Sequence, residues 1–136
     1  MKHQHWLVKQ EPESYAWEDF VRDKKTAWEG VRNYAARNHL KAMSVGDRVL
    51  FYASGGPKEV VGTAEVTKAA FPDATADEPG WVAVELKAGR KLARPVTLAE
   101  IKTTPALAQV PLIRQGRLSV MPVTAAEYDL IVKLGG

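Results

Sequence analysis

Apolar and polar residues alternate in a series of short runs along this chain, and each run implies a strand with two different faces. Residues 4–10 (QHWLVKQ) put Trp6 and Val8 on one face and Leu7, Lys9 and the following Glu11 on the other, and Pro12 ends the strand. The period then changes. Trp17, Phe20 and Val21 at i, i+3, i+4 predict a short helix, and Ala36, Leu40 and Met43 at i, i+4, i+7 predict a second, closed by the turn at 44–47. Strands follow at 47–54, 59–68, 81–87 and 91–96, with a short one near 118–121. Ala88 and Gly89 read as a hairpin tip, and 69–80 as the longest irregular segment. Thr97 with Glu100 and Thr124 with Glu127 have capping-box spacing, opening a short helix into Ile101 and a C-terminal helix carrying Ile131 and Leu134.

Many short strands, with helices at the ends and after the first strand, predict an α+β domain. Its expected centre is a curved, mostly antiparallel sheet or small pseudo-barrel with flanking helices. Strands do not alternate regularly with helices, which argues against a doubly wound fold. The 136 residues, 46% of them hydrophobic, suffice for one core and not for two ordinary domains, so 1–136 is expected to be a single domain.

No basic-then-apolar leader opens the sequence, and no apolar run approaches the roughly 18 residues that span a bilayer. The expectation is a soluble, intracellular, cytoplasmic monomer without membrane contact. Zero cysteines exclude a disulfide framework, a thiol nucleophile and thiolate metal ligands. Nineteen Lys+Arg against 16 Asp+Glu give a net charge of +3, too little to coat nucleic acid by charge alone. Local patches remain: Lys87, Arg90, Lys91 and Arg94, read as solvated surface, and Arg32, Arg37, Lys41 and Arg48 around the second helix.

Candidate chemistry gathers at WEGVRNYAARN, residues 28–38. Trp28, Gly30, Arg32 and Asn33 stand where a strand or loop enters a helix. There an aromatic face, an amide that can both donate and accept, and Arg or backbone N–H groups able to hold an anion stand together, more hydrogen-bonding capacity than simple packing requires. Simple packing of Trp28 and helix capping by Asn33 explain the same residues, and spacing alone modestly favours that simpler explanation. Trp81 falls opposite the core-like set Val82, Val84 and Leu86, and either covers a sheet edge or serves a ligand. Three same-face pairs complete the set: Lys9 with Glu11, Tyr52 with Ser54, and Arg117 with Ser119. Lys9 and Glu11 could equally form a surface ion pair. His3 and His5 lack a third ligand at metal spacing, and the turn at 55–58 lacks the phosphate-loop pattern, so neither a metal nor a cofactor is called for.

In order along the chain, KQEPESYAWEDF, WEGVRNYAARNHLKAM, GDRVLFYAS, VGTAEVTKAAFPD, the isolated Trp81, RPVTLAEIK and RLSVMPVT resemble an EVE domain of the thymocyte-nuclear-protein type. The resemblance covers nearly the whole chain. It implies a PUA-like fold related to the YTH readers of methylated RNA, and recognition of a modified nucleobase, most readily a modified cytosine, in DNA or RNA. Lys9, Glu11, Trp28, Val31, Arg32, Asn33, Tyr52, Ser54, Trp81, Arg117 and Ser119 are the binding residues it implies, with Trp28 and Trp81 as aromatic walls of one pocket. Gln10 and Ala16 depart from the family pattern, where Ser is usual at both. ASCH-type PUA-like proteins include hydrolases of modified nucleosides that use Lys, Thr and Glu. Lys9 and Glu11 superficially suit that chemistry without following its pattern, so the enzyme reading ranks below the binding module.

Overall fold

Six strands carry the fold: β1 (His5–Gln10), β2 (Lys25–Trp28), β3 (Arg48–Ala53), β4 (Glu59–Pro72), β5 (Val82–Thr97) and β6 (Val120–Val123). In this computed structural model, which describes residues 3–136, they form one mixed sheet in the order β2-β5-β4-β3-β1-β6. Only β1 and β3 run parallel; the other neighbours are antiparallel. A parallel pair needs a long crossover. Here it contains α1 (Trp17–Asp23), β2 and α2 (Tyr34–Ala42). The helices α3 (Leu98–Thr103), α4 (Pro111–Arg114) and α5 (Ala125–Leu134) follow β5 and flank β6.

The central strands are covered on both faces. Trp6, Leu7 and Val8 are all buried, as are Val49 to Ala53, so alternation predicts direction here and not exposure. On one face a ring cluster surrounds Phe51, with Trp17 at 5.4 Å, Phe20 at 5.7 Å and Trp28 at 5.8 Å between centroids. Trp17 lies so close to β4 that a Cβ at Gly62 would sit 2.4 Å from its ring. Val21 stands outside this core, 49% exposed.

Three sequence expectations are corrected. The segments 81–87 and 91–96 are one strand, and Ala88-Gly89 is no hairpin tip. At Gly89 the backbones of β4 and β5 approach so closely that a Cβ would meet Thr63 Oγ1 at 2.6 Å, while Arg90 N donates to that oxygen at 3.0 Å. The glycine therefore marks a shift of register in a long curved ladder. Residues 25–28 form a strand that the sequence pattern did not reveal, and β4 runs on to Pro72 through what reads as loop. Finally, Thr124 and Glu127 form the reciprocal box, but at α3 only Thr97 caps, because the Glu100 carboxylate is taken by Arg94 at 2.9 and 3.0 Å. Among the described residues no helix is long and apolar enough to cross a membrane.

Candidate functional site

The curl of the sheet brings the end of β2 beside the end of β1, although three strands separate them in the sheet order. Between them opens a cleft of about 260 Å³ lined by Gln10, Tyr15, Thr26, Ala27, Trp28 and Glu29. Trp28 is only 4% exposed and is anchored in the core by Phe20 and Phe51, so it offers the cleft an edge rather than an open face. Tyr15 meets it edge-on at 6.4 Å, and the Tyr15 hydroxyl donates to Asp23 Oδ2 at 2.8 Å. Burial, then the bond to Asp23, hold this phenol above its usual pKa, so it stays a neutral donor. Gln10 and Glu29 supply an amide and a carboxylate at the rim.

Lys9, Tyr52 and Ser119 meet elsewhere. Lys9 pairs with Tyr52 across β1–β3, and its backbone N–H donates to Ser119 O at 2.9 Å, so the three form one row across adjacent strands. Alternation turns Lys9 and Tyr52 to the sheet face opposite Gln10 and Phe51. The Lys9 ammonium donates to Gly116 O at 2.9 Å and lies 6.0 Å from the Tyr52 ring centre; burial lowers its pKa. It makes no ion pair with Glu11, which is exposed and contributes its backbone carbonyl to the turn at Ser14 and Tyr15. Ser54 N donates to Gln10 O at 2.9 Å, and Arg117 is exposed beside Gly116.

A third group forms around the loop 30–33. Asp73, at the end of β4, has a fully buried carboxylate that accepts from Gly30 N at 2.8 Å, Arg32 at 3.0 Å, Thr75 N at 2.8 Å and Thr75 Oγ1 at 2.6 Å. Burial alone would push its pKa up, but the bonds from Thr75, Gly30 and Arg32 prevail and hold it well below the usual carboxylate range. Val31 is buried in this loop. Asn33 is the N-cap of α2, its Oδ1 accepting from Ala36 N at 2.9 Å. Asn33→Ala should therefore lower stability by about 1 kcal/mol, read as a shift in denaturant midpoint, since it removes the cap and no packing.

Trp81 belongs to this group. It stacks on Tyr34 at 5.2 Å, with Arg32 at 5.6 Å and Arg37 at 5.3 Å from its ring centre, and it lines a separate cleft with Arg32, Asp77 and Glu78. The expected single pocket walled by Trp28 and Trp81 is thus corrected to two clefts with one indole each, because Trp28 is drawn inward by Phe51 while Trp81 is held outside by α2. Sequence reasoning missed Gln10, Tyr15 and Glu29 as cleft residues, and Asp73 as the anchor of the loop. Asp73 carried a signal: its position two residues before Thr75 is the spacing of an Asx-turn, which its Oδ1 makes with Thr75 N.

The EVE domain family model matches residues 4–134 of this chain. Human thymocyte nuclear protein 1 is 34% identical over an alignment that takes in 96% of this chain and 73% of that protein. The NMR structure of Rpa0253 from Rhodopseudomonas palustris is 45% identical, with a TM-score of 0.92, covering 98% of this chain and 93% of that one. The crystal structure of human THYN1 in complex with 5-methylcytosine-containing DNA is 32% identical, with a TM-score of 0.90 and 97% of each chain covered. The PUA-like fold expected from the sequence is the fold of these neighbours.

Proposed function

The chain belongs to the EVE domain family, and from that premise we propose that it is a DNA reader that takes a modified cytosine, 5-methylcytosine first, into the cleft between β1 and β2. The observation that carries the reading is the pairing of Gln10 and Glu29 at the rim of a cleft backed by Tyr15 and Trp28. A cytosine turned out of its stack offers an N4 amino donor beside the N3 and O2 acceptors. A carboxylate accepts from N4, and an amide N–H serves an acceptor. Thymine presents an oxygen where cytosine has its amino group, and a carboxylate repels it. The apolar edges of Tyr15 and Trp28 favour a methyl substituent over bare water contact. At about 260 Å³ the cleft suits one flat base rather than a larger ligand.

Titration of oligonucleotides that carry 5-methylcytosine, cytosine or thymine at the read position against Glu29→Gln and Gln10→Ala tests this. Each variant should lose roughly tenfold of its preference for cytosine over thymine bases, the value of one well-made base contact, while melting near wild type. Variants that bind all bases as the parent does would refute the cleft as reader. The hydrolase alternative is tested by incubating the protein with modified nucleosides and examining them by mass spectrometry; the reader account expects intact nucleosides, and product would contradict it. Lys9, the residue with which such chemistry would begin, lies on the sheet face opposite the cleft residue Gln10 and is bonded to Gly116 O.

A further inference from the structure

The outer side of α2 takes no part in the cleft. Tyr34, Arg37 and Lys41 stand at i, i+3 and i+7 and form one stripe, turned from the buried stripe of Ala36, Leu40 and Met43. The helix sequence YAARNHLKA contains no acid, and Arg37 and Lys41 are like charges one turn apart, an arrangement that weakens a helix by itself. Tyr34 is 67% exposed. The Arg37 guanidinium carbon lies 4.9 Å from the Tyr34 ring centre and 5.3 Å from that of Trp81, and the two rings are 5.2 Å apart. The three thus form a nearly equilateral triangle that fixes the guanidinium along the shared rim of both rings.

The charge of Arg32 is answered by Asp73 at 3.0 Å. Among the described residues Arg37 has no carboxylate partner, and its Nε is buried without a hydrogen-bond acceptor. The buried Nε cannot reach an external group, but the outer amino groups of this fixed guanidinium, with no carboxylate partner among the described residues, are arranged for an external anion. The stripe is roughly 10 Å long at 1.5 Å per residue, about the rise of three nucleotides at ~3.4 Å each along one strand.

We propose that Tyr34, Arg37 and Lys41, backed by Trp81, grip the sugar–phosphate backbone of the DNA strand that carries the read base. This rests on the DNA reading above, since α2 follows directly from the loop that begins at Trp28. Asp77 and Glu78, beside Arg32 and Trp81, repel phosphate and confine the backbone to the α2 side.

The test is fluorescence anisotropy with matched 5-methylcytosine and cytosine oligonucleotides over a salt series, using Arg37→Gln and Lys41→Gln. Lys41 is exposed, so its variant keeps the test valid should Arg37→Gln loosen the fold. Each variant should weaken binding to both oligonucleotides by the same factor, roughly three- to tenfold, and reduce the salt slope by about one phosphate, leaving the methylated-to-unmethylated ratio unchanged. Unchanged affinity and slope in both variants would overturn the proposal while a wild-type methyl preference kept the reader account. A wild type without methyl preference whose slope still falls in the variants would sink the reader account and keep the backbone grip. A wild type that binds neither oligonucleotide would overturn both.

Discussion

Trp28→Ala is expected to cost about 3–5 kcal/mol of folding stability, measured by denaturant unfolding, the range for truncating a buried tryptophan. The indole is 4% exposed and packs against Phe20 and Phe51, whose cluster also holds Trp17, so its removal opens a cavity at the point where α1, β2 and β3 meet. The spacing of residues in the sequence modestly favours this packing role, whereas the family resemblance implies a different outcome, a pocket tryptophan whose loss spares stability. A melting temperature within a degree or two of wild type would restore that view and refute the core placement. Trp28→Phe separates the two roles, because it refills most of the volume and should recover most of the stability while changing the wall of the cleft.

Asp73→Ala should be nearly as severe, about 3 kcal/mol or more, for a different physical reason. It leaves the Gly30 and Thr75 N–H groups without their acceptor and Arg32 without its counter-charge. Since Gly30 and Arg32 set the path from Trp28 into α2, DNA binding should weaken along with stability. The acid dependence follows from the depressed pKa. The carboxylate's contribution is fully present above the ordinary Asp value of ~3.9 and is lost as pH falls through the lower folded value. Wild type should therefore lose stability below about pH 4 more steeply than Asp73→Asn, followed by urea unfolding at stepped pH. Parallel curves would show that Asp73 is no anchor.

Why the sequence disclosed some of this and not the rest has local causes. Helices α1, α2 and α5 were legible because Trp17/Phe20, Ala36/Leu40 and Ile131/Leu134 keep helical spacing, with the capping residues Asn33 and Thr124 before the second and third of them. Strands β1 and β3 were legible from their dense apolar runs. β2 was not, since KTAW is an edge strand with only Trp28 buried and shows no alternation in hydrophobicity. β5 was split in two because Gly89 in a basic run is locally indistinguishable from a turn. Its meaning depends on Thr63, 26 residues away in the chain. The candidate site was half legible for the same reason. Trp28, Arg32 and Asn33 are contiguous and stood out together. Which residues face Trp28 is decided by how far the sheet curls, and that brings Gln10 and Tyr15 to it rather than Lys9 and Tyr52. Strand alternation grouped Lys9 with Glu11 and Tyr52 with Ser54 along single strands, but could not say that Lys9 and Tyr52 lie side by side across β1 and β3, on the face turned from the aromatic cluster.

The comparison of affinities of the unmodified wild-type protein for two oligonucleotides, identical except for one 5-methylcytosine in place of cytosine and titrated at one fixed salt concentration, bears most directly on the account. A base reader whose cleft closes on the methylated base should bind the methylated strand several-fold to roughly tenfold more tightly. Equal affinities for the two, at any strength of binding, would contradict it.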